Sequence, residues 1–457
     1  MTKINPSIFK AYDVRGVYPK EINSSAALNI AKGLVAFLGK RKKGRLKIVV
    51  ARDNRVSSPV LYRAVKKGIL GEGVDIIDIG LSTTPMFYFA VWKYKFDGGI
   101  IVTASHNPPE YNGFKIVGEK AISIGEENGL EEIKKLTLQK KKRSKAKKGS
   151  IWKKNILKEY LDFNFSISKM DFKKLKAAQL KIGIDTANAV SGILVKELKK
   201  RLPCKIYHLF PKLDGRFPNH LANPLEEKNI KDLRSFVKRK NLDLGVAFDG
   251  DGDRIIFVAE NGKTIVPDYI TCLLSQKILE ENPGAKILYS ICSSNIIREI
   301  IRENGGVPIP SKIGHTLIKG KMIKEKALFA GEYSGHYFHR DHSFCEVPLI
   351  VLFEVLEKIS KTGKSISQLI IPFKKYFYSG IINLEVKDKP RALSLLKRRY
   401  KRGKISHLDG LRVDFEDWWF NARPSNTEDL LRIAVEAKTK SLMQGKLKKI
   451  KKLITAN

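Results

Sequence analysis

The sequence predicts an α/β protein with three related α/β domains, each built on a mixed or parallel sheet, and a smaller C-terminal α+β domain. The first observation behind this prediction is a strand–helix–strand pattern that occurs three times, because two parallel strands need such a crossover between them. The second is length, since 457 residues are enough for about three or four domains.

The three copies of the pattern share their order of elements. In the first copy we predict a strand over 46–51, a helix over 59–70 and a strand over 74–79. In the second copy a strand over 180–185 is followed by a helix that ends at about residue 202 and a strand over 205–210. In the third copy a strand over 286–291 is followed by a helix over 295–303 and a strand over 307–310. Their spacing is too long for a solenoid repeat, so three domains fit better than one large sheet.

The pattern changes after residue 366. We predict strands over 376–386, 410–415 and 418–422, a helix over 390–401 and a C-terminal helix. We place the domains at 1–150, 151–254, 255–366 and 367–457. The densest basic run, 134–154, contains no acidic residue and lies at the first boundary.

Composition indicates a soluble cytoplasmic protein. The hydrophobic fraction of 43% is ordinary, and no apolar run is long enough for a transmembrane helix. The N-terminus lacks the pattern of a secretory signal. Four cysteines without paired spacing indicate a reducing compartment. We therefore expect no membrane partner.

The net charge of +39 has two interpretations. It could attract polyanions, or it could reflect lysine-rich solvated surfaces. The excess is spread over many segments and is not interleaved with aromatic residues, as it would be in a single-strand binder. This distribution favours solvated surfaces, and we expect no nucleic-acid partner.

One stretch, 97–115, organises the chain. An apolar strand over 98–104 is followed by Asn107-Pro108-Pro109, which forces a turn, and Asn112-Gly113 predicts a second turn before a returning strand over 114–117. Ser105 is then at the rim of a sheet, with His106 beside it and Lys115 on the returning segment. These residues could supply a nucleophile with a base and a cation. An ordinary polar hairpin is the alternative.

Near the N-terminus, Tyr12 and Arg15 precede Gly16, which permits a turn that would leave Arg15 facing an anion. A salt-bridged surface arginine is the alternative.

Asp249, Asp251 and Asp253 alternate with glycines between two predicted strands, and Arg254 follows them. Three carboxylates brought together in this way need a cation, and hard oxygen ligands suit Mg²⁺. A plain acidic turn is the alternative.

Two later loops carry polar groups suited to a sugar phosphate. Glu332 and Ser334, followed by His336, could bind neighbouring hydroxyls, while His315 alone is more typical of a structural histidine. Further on, a turn carries side chains that can cradle an anion, unless it is a capped segment end: Arg423, Ser425, Asn426 and Thr427.

The runs Thr103–Pro108, Tyr111–Lys115, Asp249–Arg254, Gly331–His336 and Arg423–Thr427, in this order, resemble the motifs of the α-D-phosphohexomutases. The resemblance implies that Ser105 carries the exchanged phosphoryl group and, with the three aspartates, binds Mg²⁺. It implies that Arg254 aids transfer, that Tyr12, Arg15 and His315 line the site, and that Glu332 and Ser334 bind the sugar near His336. It also implies that the loop from Arg423 to Thr427 binds the non-reacting phosphate. Lys115 and His106 are the acid/base candidates.

We therefore predict a phosphomannomutase/phosphoglucomutase-like enzyme that interconverts hexose 1- and 6-phosphates through a hexose 1,6-bisphosphate, which also serves as activator. The site is expected in a central cleft among the four domains, in a monomer or homodimer. The run 290–294 lacks a lysine that some relatives have, and 344–348 departs from the family sequence. The alternatives are a phosphoglucosamine mutase and a catalytically silent, polyanion-binding relative.

Overall fold

The computed structural model describes residues 4–42, 44–139, 147–425 and 430–455. The chain divides into two compact units. Unit 1 comprises residues 1–266 and 334–368, and unit 2 comprises residues 267–333 and 369–457.

The first part of unit 1 is a six-stranded mixed sheet with helices. Its strands are β1 (Val14–Val17), β2 (Lys47–Arg52), β3 (Asp75–Leu81), β4 (Gly98–Val102), β5 (Tyr111–Gly118) and β6 (Ile151–Lys153). Its helices are α1 (Ser24–Gly39), α2 (Ser58–Gly71), α3 (Thr84–Lys93) and α4 (Leu130–Leu138). The strand order is β1-β5-β4-β2-β3-β6, with β2 parallel to β3 and β4, and β5 antiparallel to β1 and β4. Every residue of β4 is buried, as expected of a central strand covered by helices.

The second part of unit 1 is built on a four-stranded sheet. Its elements are α5 (Leu157–Ser168), α6 (Phe172–Ala177), β7 (Lys181–Asp185), α7 (Gly192–Arg201), β8 (Lys205–Leu209), α8 (Lys231–Arg239), β9 (Leu244–Phe248) and β10 (Ile255–Ala259). The order is β10-β9-β7-β8, with β7 parallel to β8 and β9 and only β10 antiparallel.

Unit 2 begins with a parallel sheet, β12-β11-β13. The elements are α9 (Pro267–Glu281), β11 (Lys286–Ser290), α10 (Asn295–Glu303), β12 (Val307–Ser311), α11 (His315–Glu325) and β13 (Phe329–Gly331). The chain then returns to unit 1 with the antiparallel pair β14 (Tyr337–His339) and β15 (Cys345–Glu346) and the helix α12 (Pro348–Thr362). The short helix α13 (Ile366–Leu369) lies at the boundary between the units in the chain.

Unit 2 ends with an antiparallel sheet of order β16-β20-β19-β18-β17. Its elements are β16 (Phe377–Leu384), α14 (Lys389–Arg399), β17 (Lys404–Ser406), β18 (Leu411–Asp414), β19 (Trp418–Pro424), β20 (Leu431–Ala437) and α15 (Lys440–Thr455). In the part of the chain that the structure describes, no helix has both the length and the apolar character that crossing a membrane requires.

The predicted fold class is confirmed. The three repeats are β2-α2-β3, β7-α7-β8 and β11-α10-β12, each with a parallel strand pair, and an antiparallel α+β domain follows them.

Two local predictions are wrong. Gly16 does not form a turn, because it lies within β1 and pairs with Asn112 of β5. Asn112-Gly113 likewise continues the strand instead of turning. The reversal occurs earlier, where the Asn107 N–H donates to the Ala104 carbonyl and the Tyr111 N–H donates to the Pro108 carbonyl.

Candidate active site

Ser105 lies directly after β4, on the loop that leads to β5. Its side chain is almost fully buried, and its φ of +50° is in the left-handed region that non-glycine residues rarely adopt. The backbone N–H donates to Thr103 Oγ1 at 3.0 Å. The hydroxyl donates to Asp249 Oδ2 at 2.7 Å and lies 3.3 Å from His106 Nδ1. The fold therefore presents this serine to a carboxylate on one side and an imidazole on the other.

The three aspartates occupy the loop between β9 and β10. Asp249, Asp251 and Asp253 are buried, and one carboxylate oxygen of each lies within 4.8 Å of the others. Gly252 has a φ of +71°, which lets the loop curl so that the oxygens converge. Thr84 of α3 supports the loop, since its hydroxyl donates to Asp251 Oδ2 at 2.6 Å.

Lys115 of β5 is the cation in contact with this cluster. Its Nζ lies 2.7 Å from Asp251 Oδ2 and also contacts Asp253 Oδ2. Burial would lower the pKa of Lys115, but the two carboxylates raise it well above its ordinary value, so the ammonium stays protonated.

The carboxylates differ in proton affinity. Burial raises the pKa of Asp249, and repulsion from Asp253 and Asp251 raises it further. Burial acts in the same direction on Asp253, but Lys115 and His336 outweigh it and hold its pKa well below the usual range. One lysine therefore does not compensate three buried carboxylates.

The cluster fits a metal ion on its donor chemistry. Asp251 Oδ1 is buried without a hydrogen-bond partner, and Asp253 Oδ1, also buried, lies 3.3 Å from His336 Nε2. Carboxylate oxygens are hard ligands, and a divalent cation would compensate the negative charge that Lys115 does not neutralise. Asp249, Asp251 and Asp253 are the residues that could hold it.

Basic side chains of unit 1 surround the serine. Arg15 of β1 forms an ion pair with Asp13 at 2.7 Å and donates to Asn107 of the serine loop. His106 is half-buried, and its pKa is well below the usual 6.5 because of desolvation and the positive charges of Arg254 and Arg15. The His106 imidazole is therefore neutral and able to accept a proton.

Arg254 and the segment after β13 complete this part of the site. Arg254 Nε lies 3.2 Å from His336 Nε2 and 3.9 Å from Asp249 Oδ2. His336 Nε2 in turn is 3.3 Å from Asp253 Oδ1, and its Nδ1 is 2.8 Å from the Ser334 hydroxyl. A chain of contacts thus connects Ser334 to the acidic cluster.

Unit 2 contains other predicted site residues. His315 begins α11, and Glu332 Oε1 accepts from the Gly314 N–H at 3.1 Å, which brings the Glu332 side chain next to the start of α11. On β19 the buried Arg423 lies directly opposite Arg432 of β20. Like charges in opposite positions repel, which an oxyanion between them would offset.

Unit 1 therefore brings together ten residues predicted from the sequence: Arg15, Ser105, His106, Lys115, Asp249, Asp251, Asp253, Arg254 and, through Arg254 and Asp253, His336 and Ser334. Tyr12 is half-buried just before β1, and Ser425 follows β19. Asn426 and Thr427 lie outside the described residues.

The sequence interpretation missed Asp13, Thr84, Arg55 and Arg432. Arg55, in the loop before α2, donates four hydrogen bonds to carbonyl oxygens of the serine loop. Thr84 and Arg55 act through contacts distant in sequence, whereas Asp13 pairs with Arg15 two residues away. For Arg432 a signal was present, since an arginine follows the Arg423 turn on an apolar stretch with the composition of a strand.

Family models match the chain over most of its length. They are described as phosphoglucomutase/phosphomannomutase, alpha/beta/alpha domain I at residues 6–144, domain II at 158–262 and domain III at 266–376, and the C-terminal domain at 381–452.

Two curated relatives and one crystal structure illustrate the similarity. A phosphomannomutase of Methanocaldococcus jannaschii is 38% identical over 98% of this chain and 97% of its own. A phosphoglucomutase of Neisseria gonorrhoeae is 32% identical over 100% of this chain and 98% of its own. The crystal structure of a phosphoglucomutase/phosphomannomutase family protein from Burkholderia thailandensis superposes with a TM-score of 0.86 at 30% identity, over 99% of this chain and 98% of that one.

Proposed function

This chain belongs to the phosphoglucomutase/phosphomannomutase family, and from that premise we propose how its residues perform the reaction. The protein is a phosphohexomutase, an isomerase that acts by phosphoryl transfer and interconverts hexose 1-phosphates and hexose 6-phosphates. The observation that carries our assignment of roles is the 2.7 Å hydrogen bond between the Ser105 hydroxyl and Asp249. It joins the only buried serine of this loop to the acidic cluster that could hold a cation.

The first half-reaction begins from phosphorylated Ser105. The free hydroxyl oxygen of a bound hexose monophosphate attacks phosphorus, the bond between phosphorus and Ser105 Oγ breaks, and a hexose 1,6-bisphosphate results. In the second half-reaction Ser105 Oγ attacks the other phosphate, so the sugar leaves with its phosphate on the alternate oxygen. Nothing is lost from the enzyme in a complete cycle, and free bisphosphate serves as activator by phosphorylating Ser105.

Two side chains handle the protons in this proposal. His106 accepts the proton of the attacking hydroxyl. Its lowered pKa keeps the imidazole neutral, with a ring nitrogen able to accept, although it also makes the imidazole a weaker base. Lys115 keeps its proton because its pKa is raised, and it balances the charge on Ser105 Oγ as that oxygen leaves. Arg254 and Arg15 hold the equatorial oxygens of the transferring group.

Mg²⁺ is the cation we propose for Asp249, Asp251 and Asp253, with an oxygen of phosphorylated Ser105 as a further ligand. Bound there, it supplies positive charge that stabilises the negative charge of the moving phosphoryl group.

Sugar phosphates are the substrates, and we propose mannose and glucose as the sugars. Arg423, Ser425, Asn426 and Thr427 bind the phosphate that is not reacting, and the repulsion between Arg423 and Arg432 supports an anion there. Glu332 and Ser334 bind sugar hydroxyls, with His336, His315 and Tyr12 lining the site. The two relatives named above, at 38% and 32% identity, are a phosphomannomutase and a phosphoglucomutase, which does not favour the glucosamine alternative.

We further propose a cytoplasmic monomer or homodimer without a nucleic-acid partner, and domain limits at residues 150, 254 and 366.

Phosphorus NMR tests the function. Purified protein with Mg²⁺ and a trace of glucose 1,6-bisphosphate receives mannose, glucose or glucosamine 1-phosphate separately. We expect conversion of the mannose and glucose esters to 6-phosphates by the wild type and none by Ser105→Ala. Conversion of the glucosamine ester alone would overturn the proposed substrates, and an active Ser105→Ala would overturn the proposed nucleophile.

A further inference from the structure

Arg55 is an almost fully buried arginine between β2 and α2, with a relative exposure of 1%. Its guanidinium donates to four carbonyl oxygens of the serine loop. Nη2 donates to Ser105 O at 2.7 Å and to Asn107 O at 2.6 Å, and Nη1 donates to Pro108 O at 2.6 Å and to Tyr111 O at 3.0 Å. Half the backbone carbonyls of the segment 104–111 therefore converge on one side chain.

This convergence follows from the backbone of the loop. The φ of +50° at Ser105 and the two prolines after it keep the loop out of regular structure, and of these four carbonyls the Pro108 oxygen also accepts from the Tyr111 N–H. Leaving several buried carbonyls without donors is costly, and a planar fork of N–H groups can satisfy four at once. A lysine ammonium has three donors on a single atom and cannot reproduce this geometry.

The same carbonyl of Ser105 is confined from the opposite side. A Cβ at Gly250, in the metal loop, would lie 2.2 Å from Ser105 O, so only glycine permits this approach. The oxygen is therefore held between the guanidinium of Arg55 and the backbone of the metal loop. On the same residue, Ser105 Oγ is placed 2.7 Å from Asp249.

Arg55 is itself held in place. The Arg55 N–H donates to Asp53 Oδ1 at 3.0 Å, and Asp53 Oδ2 lies 3.3 Å from Arg55 Nε. Asp53 is anchored to β4, since its N–H donates to the Val102 carbonyl at 2.9 Å. The face of Phe217 lies 5.1 Å from the guanidinium carbon. Because these partners are buried, the guanidinium has little freedom to follow a displaced loop.

We propose that Arg55 is a positioning residue for phosphoryl transfer: it fixes the serine loop so that Ser105 Oγ keeps its distance from the metal-binding carboxylates. The inference rests on the proposed role of Ser105 as nucleophile. Arg55 does not touch the substrate in this account, so its loss should affect the transfer step and leave the affinity for sugar phosphate nearly unchanged.

The test compares Arg55→Lys and Arg55→Ala with wild type at a temperature where circular dichroism shows all three folded. Displacing a reacting atom by about 1 Å can cost about 100-fold in rate. We expect kcat to fall by about that factor in both variants, and the Kd of the unphosphorylated enzyme for glucose 6-phosphate, from calorimetry, to change by less than about threefold. Methylguanidinium added to Arg55→Ala should restore part of kcat, because it can occupy the vacated space and donate to the same carbonyls.

A matched control is Tyr62→Phe, which removes a buried hydroxyl that donates to Asp78 from the same helix that follows Arg55. It should lower the melting temperature with little loss of kcat. If the Arg55 variants do not fold, Gly250→Ala tests the same geometry from the opposite side and should also lower kcat.

The inference is wrong if the Arg55 variants keep wild-type kcat, if their defect lies in sugar-phosphate affinity, or if a folded Gly250→Ala keeps wild-type kcat. An inactive wild type would instead overturn the proposed function, so the two failures can be told apart.

Discussion

Ser105 Oγ donates a 2.7 Å hydrogen bond to Oδ2 of Asp249, although 144 residues separate the two in the chain. The serine follows a strand of the first sheet of unit 1, and the aspartate follows a strand of the second. Two loops from different sheets therefore meet where Ser105 Oγ would give and take the phosphoryl group beside a metal-binding carboxylate.

The first prediction concerns the cation. Chelation with EDTA should abolish mutase activity, and added Mg²⁺ should restore it. Asp251→Asn removes one of three charged ligands, and we expect the divalent concentration for half-maximal activity to rise at least about tenfold, since even outer partners of metal ligands contribute that much. Asp232→Asn, on the exposed face of α8, is the control. If Asp251→Asn and Asp232→Asn reached half-maximal activity at the same divalent concentration, the proposed cation site would be contradicted.

The second prediction concerns Lys115, which contacts Asp251 and Asp253. Lys115→Met should lower kcat by about 100-fold to 1,000-fold, the usual cost of removing one group that stabilises developing negative charge. It should also tighten Mn²⁺ binding, measured by electron paramagnetic resonance, because the ammonium no longer competes for the carboxylates. Lys134→Met, which removes a partly exposed ion pair with Glu131, should change neither. Weaker Mn²⁺ binding by Lys115→Met would contradict this interpretation.

The third prediction concerns the phosphate that is not reacting. Arg423→Met removes one of two arginines that face each other across β19 and β20. We expect KM for glucose 1-phosphate to rise at least about tenfold, because charge-assisted hydrogen bonds to an anion contribute about 1.5–3 kcal/mol. Removal of the like-charge contact should leave the melting temperature unchanged or raise it. An unchanged KM would exclude Arg423 from phosphate binding.

The fourth prediction concerns pH-dependent stability through Asp268 in the first turn of α9. Its carboxylate is buried and accepts from the Ser294 N–H at 2.6 Å, and burial raises its pKa from 3.8 to about 7. Between these pH values the folded protein keeps a proton that the unfolded chain releases. Asp268 therefore lowers the stability progressively as the pH rises from about 4 to 7, by up to about 4 kcal/mol, and the loss persists at higher pH.

Asp268→Asn keeps an acceptor for the Ser294 N–H and removes the titration. The difference in melting temperature between variant and wild type should grow in favour of the variant from pH 4.5 to 8, as measured by scanning calorimetry. Asp232→Asn should follow the wild-type curve at constant offset. A difference for Asp268→Asn that does not vary with pH would refute the assignment.

The parts of the site that are local in sequence could be predicted from it. Ser105, His106 and Lys115 share one strand–turn–strand segment, and the three aspartates alternate with glycines. This spacing indicates a nucleophile with a base and a cation site, while the resemblance to the phosphohexomutases assigns the phosphoryl transfer to them. The repeat of parallel strand, helix and strand was also visible, because its apolar runs and crossovers are local.

Other features depend on pairing between distant segments. Gly16 and Gly113 read as turn residues, yet they lie within β1 and β5. At Gly113 the close approach of β1 requires glycine, because a Cβ there would lie 2.1 Å from Val14 O. Strand β20 was not predicted, although residues 430–435 form an apolar stretch with the composition of a strand. Arg55 gave no local signal at all, since its four partners are fixed only when the serine loop has folded against it.

The most direct test of the account is transfer of label from glucose 1,6-bisphosphate, carrying ³²P in both phosphates, to the protein in the presence of Mg²⁺, followed by peptide mapping. The account predicts that label enters the peptide containing Ser105, that it leaves on addition of unlabelled glucose 6-phosphate, and that Ser105→Ala incorporates none. Label on another residue, or equal incorporation by Ser105→Ala, would contradict it.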